Sequence, residues 1–153
     1  MMKFTKMNQE EFNEYLKIAV SEYAQDKIKA GTWAESEALQ LAQNSFNELL
    51  PEGPQTKDNY LFSMYTSEAT EPIGLIWVKV TGPKGFIYDF MIEEKYRGQG
   101  FGKQALLEIE KWASDQGLTE LGLHVFAHNQ TAYGLYKKMG YLETDITMVR
   151  KIK

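Results

Sequence analysis

Cysteine is absent from the 153 residues of this chain, which excludes disulfides, thiolate metal sites and a cysteine nucleophile within it. Histidine is scarce: His124 and His128 are the only two. They stand four apart but on no shared predicted helix, so they do not read as a zinc pair. No run reaches the about 18 apolar residues that suggest a membrane span, and the opening Met1-Met2-Lys3-Phe4-Thr5-Lys6 lacks the apolar stretch of a signal peptide. Positive charge is outnumbered, with 17 Lys and Arg against 21 Asp and Glu and a net charge of −4. A general basic face for nucleic acid is therefore not expected. These absences point to a cytoplasmic protein that uses no metal, no nucleic acid and no membrane.

What is present is ordinary globular composition, 43% apolar and 25% charged, in a length that suits one domain over residues 1–153. A short strand is expected over 4–7. Asn8 followed by Glu11 resembles a capping box, after which Phe12, Tyr15, Leu16, Ala19, Val20 and Tyr23 recur at helical spacing as far as about Lys29. Gly31-Thr32 ends that helix, and a second is expected over 35–50, stopped by Pro51-Glu52-Gly53-Pro54. Strand-like alternation follows over 60–66 and 73–80, then an apolar run over 86–92. A helix carrying Ala105, Leu106, Ile109 and Trp112, a strand over 121–126, a helix over 131–139 and a closing β segment over 141–152 complete the pattern. The fold class is α/β (α+β), a mixed sheet covered by helices with two helices inserted early.

Arg97-Gly98-Gln99-Gly100-Phe101-Gly102 lies between the apolar strand and the helix that follows. Three glycines let the backbone approach a ligand, and a helix start offers unpaired N–H groups and the positive end of a dipole. Arg97 and Lys103 add charge at either end, so the loop reads as a diphosphate site, the alternative being a glycine-rich helix entry with no ligand. The spacing G-x-G-x-G differs from the dinucleotide G-x-G-x-x-G. Gln104 after Gly102-Lys103 rules out a Walker A loop.

With these residues in view, the chain resembles the GNAT superfamily of N-acetyltransferases. Arg97, Gly100 and Gly102 satisfy that family's acetyl-CoA signature, [Gln/Arg]-x-x-Gly-x-[Gly/Ala]. Asn129, Ala132, Leu135, Tyr136, Gly140 and Tyr141 follow its second motif, N-x-x-A-x-x-L-Y-x-x-x-G-[Phe/Tyr]. Glu94 departs from the family, many members of which carry proline there.

The resemblance implies the GNAT acyl-CoA N-acyltransferase fold and acetyl-CoA as co-substrate. It also implies direct transfer to an amine acceptor in a ternary complex. Backbone N–H groups of Arg97, Gly98, Gln99, Gly100 and Gly102, with Lys103 nearby, would take the diphosphate. Met91 and Ile92, on the family's splayed strand, would face the pantetheine arm and the oxyanion. Asn129 is either a contact of the CoA arm, a helix N-cap, or both. Tyr136 matches the tyrosine that protonates the departing thiolate, the alternative being that it only packs. The base is left between His124, Asp89 and a water chain. Tyr23, Trp33, Trp77 and Tyr88 are candidates to line the acceptor pocket. A non-catalytic acyl-CoA-binding sensor or partner module is the alternative function, and the chain is expected as a monomer or homodimer.

Overall fold

The computed structural model describes residues 2–152. Strand β1 (Met2–Lys6) is followed by helices α1 (Gln9–Lys29) and α2 (Glu35–Leu49), the expected early insertion. Strands β2 (Asn59–Thr66), β3 (Gly74–Thr81) and β4 (Lys84–Ile92) come next, then α3 (Phe101–Asp115), β5 (Glu120–Leu123) and α4 (Gln130–Lys138). They form one mixed sheet in the order β1-β2-β3-β4-β5, antiparallel through β4, with β5 parallel to β4.

Alternation along β2 and β3 divides the core between the two faces of the sheet. Leu61 and Trp77 point to the α1–α2 side, where Phe12, Tyr15, Ala19, Val20, Ala42 and Phe46 meet them. Phe62, Met64, Ile76 and Val78 point the other way, onto Leu106 and Ile109 of α3 and Tyr136 of α4. The capping box at the start of α1 is formed: Asn8 Oδ1 accepts from the Glu11 N–H at 2.8 Å, and Glu11 accepts from the Asn8 N–H at 3.0 Å. The buried Trp77 indole N–H donates to Asn59 Oδ1 at 2.8 Å, so the one polar atom of that ring is satisfied.

Two expectations at the far edge of the sheet fail. The strand expected over 121–126 ends at Leu123, because β4 and β5 part beyond the Ile87–Leu123 pair and leave 124–126 no partner. The closing β segment over 141–152 does not form. Residues 142–152 make no backbone hydrogen bond among the described residues. The physical reason is that alternating, β-branched composition supplies a preference for strand, but a strand exists only against a partner edge. Residues 142–152 pair with no edge among the described residues.

Candidate active site

Two irregularities at the end of β4 create the site. The first is the parting of β4 from β5: pairing stops at Ile87 and Leu123, yet β4 runs on to Ile92. The N–H and C=O groups of 88–92 that face β5 are thus left without a strand partner, which opens a wedge in the sheet. The second is a bulge against β3, where Trp77 opposes Asp89 but Val78 opposes Ile87. Tyr88 is the extra residue. The bulge turns two successive side chains onto the α1–α2 face: Tyr88 stacks on Trp77 with centroids 4.8 Å apart, and Asp89 meets Tyr15 of α1. Phe90 returns to the α3–α4 face near Tyr136, at 6.5 Å between centroids.

Asp89 is held firmly. Its Oδ2 accepts from the Tyr15 hydroxyl at 2.7 Å and its Oδ1 from the Phe90 N–H at 2.9 Å. Burial nevertheless pushes the carboxyl above its ordinary range. The hydrogen bonds from Tyr15 and Phe90 oppose that rise, and the charges of Glu22 and Asp26 on α1 add to it. Burial and the charge of Asp89 raise the Tyr15 phenol well above its usual value, so Tyr15 stays a donor. Tyr136 is buried, and its phenol is pushed up to about 12, first by burial and then by the charge of Asp89. The two groups stand on opposite faces of β4.

The glycine-rich loop follows a short 3-10 turn, Glu94–Tyr96. Gly98 and Gly100 have φ of 76° and 83°, the left-handed region that disfavours a side chain. Open space surrounds both, so conformation and not crowding demands glycine there. Gly102 differs: a Cβ would sit 3.2 Å from Leu135 Cδ2, so the start of α3 packs directly on α4. Gln104 N–H closes the first turn onto the Gly100 carbonyl at 3.2 Å, and the preceding N–H groups of α3 point out of its N-terminus. Gln99 and Lys103 are exposed beside them. Arg97 is exposed too, but its Nε donates to the Ile92 carbonyl at 2.7 Å, tying the loop to the end of β4. Met91 and Ile92 are half-buried along the wedge.

Asn129 caps α4, its side chain accepting from the Ala132 N–H at 3.2 Å. His124 lies just past β5 and is exposed, its ring edge-on to Phe126 at 4.9 Å. Partial desolvation, then the charge of Lys27, hold its pKa below the ordinary value, so it is neutral at physiological pH. His128 pairs with Asp26 of α1 at 2.9 Å. Trp33, Tyr23, Phe126 and His124 form an aromatic row from the α1–α2 turn to the end of β5, with centroid spacings of 5.5, 6.3 and 4.9 Å.

The structure therefore gathers Asp89, Tyr136, Met91, Ile92 and the loop of Arg97, Gly98, Gln99, Gly100, Gly102 and Lys103 around the end of β4. His124 and Asn129 stand at the neighbouring ends of β5 and α4. The residue missed from sequence is Tyr15, which reads as a core position of α1. Its partner is 74 residues away, and no local pattern could have joined them. Two surface depressions elsewhere, one between Glu71, Pro72 and 93–95 and one along Lys3, Thr5 and Tyr65, include none of these groups. The first is lined by three glutamates against one lysine, a poor match for a diphosphate. Among the described residues no group of three His, Cys, Asp or Glu side chains is disposed to hold a metal ion, and no helix is long and apolar enough to cross a membrane.

Known proteins share this chain's sequence and fold. The family described as "Acetyltransferase (GNAT) family" matches residues 12–141. The uncharacterized N-acetyltransferase YycN of Bacillus subtilis is 41% identical over 152 residues, covering 97% of each chain. Its crystal structure superposes with a TM-score of 0.96 over 100% of this chain and 99% of its own. A second Bacillus subtilis protein, the uncharacterized N-acetyltransferase YdgE, is 34% identical over 99% of both chains. The PaiA N-acetyltransferase of Thermoplasma acidophilum, solved in complex with coenzyme A, shares the fold. Its TM-score is 0.71 at 21% identity, over 96% of this chain and 93% of that one. On the match across most of its length and on these relatives, the chain belongs to the GNAT family of acetyltransferases and is an N-acetyltransferase.

Proposed function

We propose that the chain, acting as one catalytic domain over residues 1–153, transfers an acetyl group from acetyl-CoA directly to a primary amine of a small molecule or peptide. The observation that carries this reading is the end of β4 itself, with the enclosed carboxylate of Asp89 on one face and, on the other, the buried phenol of Tyr136, which remains protonated at neutral pH. The N–H groups of 98–103 and the positive end of α3 bind the diphosphate, with Lys103 beside them. Asn129, while capping α4, faces the pantetheine arm. The N–H groups of Met91 and Ile92 hold the oxyanion of the tetrahedral intermediate.

Asp89 takes the proton of the acceptor amine, directly or through one water, and Tyr136 gives a proton to the departing thiolate. The negative field of Glu22 and Asp26 on α1 draws a cationic amine toward Asp89. His124 is the competing base. Asp89 is favoured because it is enclosed and oriented by two hydrogen bonds, whereas His124 is exposed and makes no such bond among the described contacts. An oriented carboxylate and a protonated phenol at the end of β4 favour turnover over a role as an acyl-CoA sensor.

Isothermal titration with acetyl-CoA, followed by a thiol-release screen of amines, tests the proposal. Micromolar binding, with turnover that fails in Asp89→Asn and persists in His124→Gln, is the expected result. Absence of binding to any acyl-CoA would remove the cofactor assignment. Turnover lost in His124→Gln and kept in Asp89→Asn would move the base to the histidine.

A further inference from the structure

Helix α1 ends in a turn that folds back over its own last residues. The Thr32 N–H donates to the Lys27 carbonyl and the Gly31 N–H to the Ile28 carbonyl, both at 2.9 Å. That reversal sets Trp33 edge-on to Tyr23, which lies one helical turn before Lys27. The half-buried Lys27 ammonium rests against both rings, 5.2 Å from the centroid of Trp33 and 5.6 Å from that of Tyr23. Lys27 makes no ion pair among the described residues. Asp26, its neighbour in sequence, is taken up by His128 at 2.9 Å. A half-buried cation held in place by aromatic rings and lacking a carboxylate of its own is complementary to an anion.

We infer that Lys27 determines acceptor specificity: the amine that is acetylated also carries a carboxylate, which Lys27 takes while Asp89 receives the amine. The inference rests on the acetyl-transfer reading above and names its substrate class. The two ends of the acceptor side are opposite in sign. Around Asp89 the charges of Glu22 and Asp26 favour an ammonium group. At the other end the rings of Trp33 and Tyr23 already hold the protein's own cation, so a second cation on the acceptor is repelled there. The aromatic row continues from Tyr23 through Phe126 to His124. Partial desolvation, then the charge of Lys27, keep that imidazole neutral, with one ring N–H free to donate to the same carboxylate.

Helix geometry sets the span of the acceptor. Tyr15, which meets Asp89, and Tyr23, which carries the Lys27 ammonium, both lie on α1. Eight residues of helix separate them, about 12 Å along the axis. A polar contact of about 3 Å at each end leaves about 6 Å between amine and carboxylate. That is the length of an ω-amino acid of about five or six carbons, or of an amino acid acetylated on its side chain.

The test compares 6-aminohexanoate with its neutral carboxamide, 6-aminohexanamide, and with 1,6-diaminohexane. The three offer the same amine on similar chains with negative, neutral and positive far ends. With saturating acetyl-CoA, kcat/KM from thiol release is expected to be about tenfold higher for the carboxylate than for the amide, with the diamine lowest. Lys27→Gln should bring the carboxylate-to-amide ratio to about one, and Lys27→Glu should invert the order in favour of the diamine, both with wild-type circular dichroism. Equal kcat/KM for the three amines, or a preference that survives both substitutions, overturns the inference and leaves acetyl transfer standing. Binding of the same compounds, followed by NMR titration of the protein, separates the two readings. If none is acetylated, yet the carboxylate binds about tenfold more tightly than the amide and Lys27→Gln abolishes that difference, the anion site stands and acetyl transfer to the amine falls. No acetylation and no difference in binding refutes both.

Discussion

Tyr15→Phe isolates the part of the site that depends on long-range packing. The substitution keeps the ring that packs against Phe12 and Phe46 at 6.3 and 6.4 Å, and removes only the hydroxyl that donates to Asp89 at 2.7 Å. Burial raises the Asp89 carboxyl pKa, and the Tyr15 hydrogen bond is the foremost opposing contribution. Losing it disfavours the ionised form further. A hydrogen bond to a charged group contributes about 1.5–3 kcal/mol, and the low end is enough to make the shift measurable. At about 1.4 kcal/mol per factor of ten, the ionised fraction on the acid side of the profile falls roughly tenfold. The sign follows from the role of a base: activity that needs the carboxylate is lost toward low pH, and the variant loses it at a higher pH than the wild type. The assay is kcat/KM for the acceptor against pH, with saturating acetyl-CoA. At a pH where wild-type activity has levelled off, the variant recovers toward the wild-type rate. An acid limb that does not move, with the variant folded and binding acetyl-CoA normally, would show that Asp89 is not the group whose ionisation the reaction needs.

Other perturbations separate further contributions. Tyr136→Phe is expected to lower kcat by about a hundredfold or more, the range of a positioned general acid, with little change in KM for acetyl-CoA; a thiol-release assay reads both. Because burial pushes this phenol up to about 12, the wild type should keep its acid function through pH 10, and a fall between pH 8 and 9 would contradict that. Gly102→Val forces a side chain against Leu135 and is expected to cost about 1–3 kcal/mol of stability as an overpacked contact. Adding Leu135→Ala should return part of that loss in urea unfolding. Asn59→Ala leaves the buried Trp77 indole without its acceptor and should cost about 1–3 kcal/mol, read as a lower Tm with acetyl-CoA affinity unchanged.

What could be read from sequence was whatever depends on neighbours along the chain. The capping box at Asn8, the period of α1 and α2, and the glycines before α3 are local requirements, and each took the expected form. Gly98 and Gly100 are in the left-handed region because the turn into α3 needs it. The bulge at Tyr88 was hidden, since 86–92 reads as a plain apolar run whose one acidic residue has no visible partner. Only the pairing of β3 with β4 shows that Tyr88 and Asp89 share a face. The same limit explains the closing segment. Its composition is that of a strand, and composition does not say whether a pairing edge is there to receive it.

The bulge also divides labour between the two sides of the sheet. Asp89 turns toward α1 and α2, in the core layer that includes Tyr15, Tyr23 and Trp33. Tyr136 and Leu135, with the glycine-rich loop packed on them through Gly102, belong to the α3–α4 layer. The acceptor should then arrive from one side and acetyl-CoA from the other, meeting in the wedge beyond Ile87 and Leu123. Trp33→Ala removes a ring that packs edge-on to Tyr23 at 5.5 Å, in the aromatic row that leads to His124. It is expected to raise KM for the acceptor severalfold and leave acetyl-CoA affinity within twofold. Gly100→Ala puts a side chain on a residue at φ 83°, where the backbone penalty is about 1–2 kcal/mol. It should weaken acetyl-CoA binding about tenfold with little effect on the acceptor. If the two ligands enter from opposite faces, the effects add in the double variant within about 0.5 kcal/mol, as measured by kcat/KM for each substrate. A strong coupling between Trp33 and Gly100, or an acetyl-CoA defect in Trp33→Ala, would mean that the α1–α2 turn belongs to the cofactor site and that the division at Asp89 is wrong.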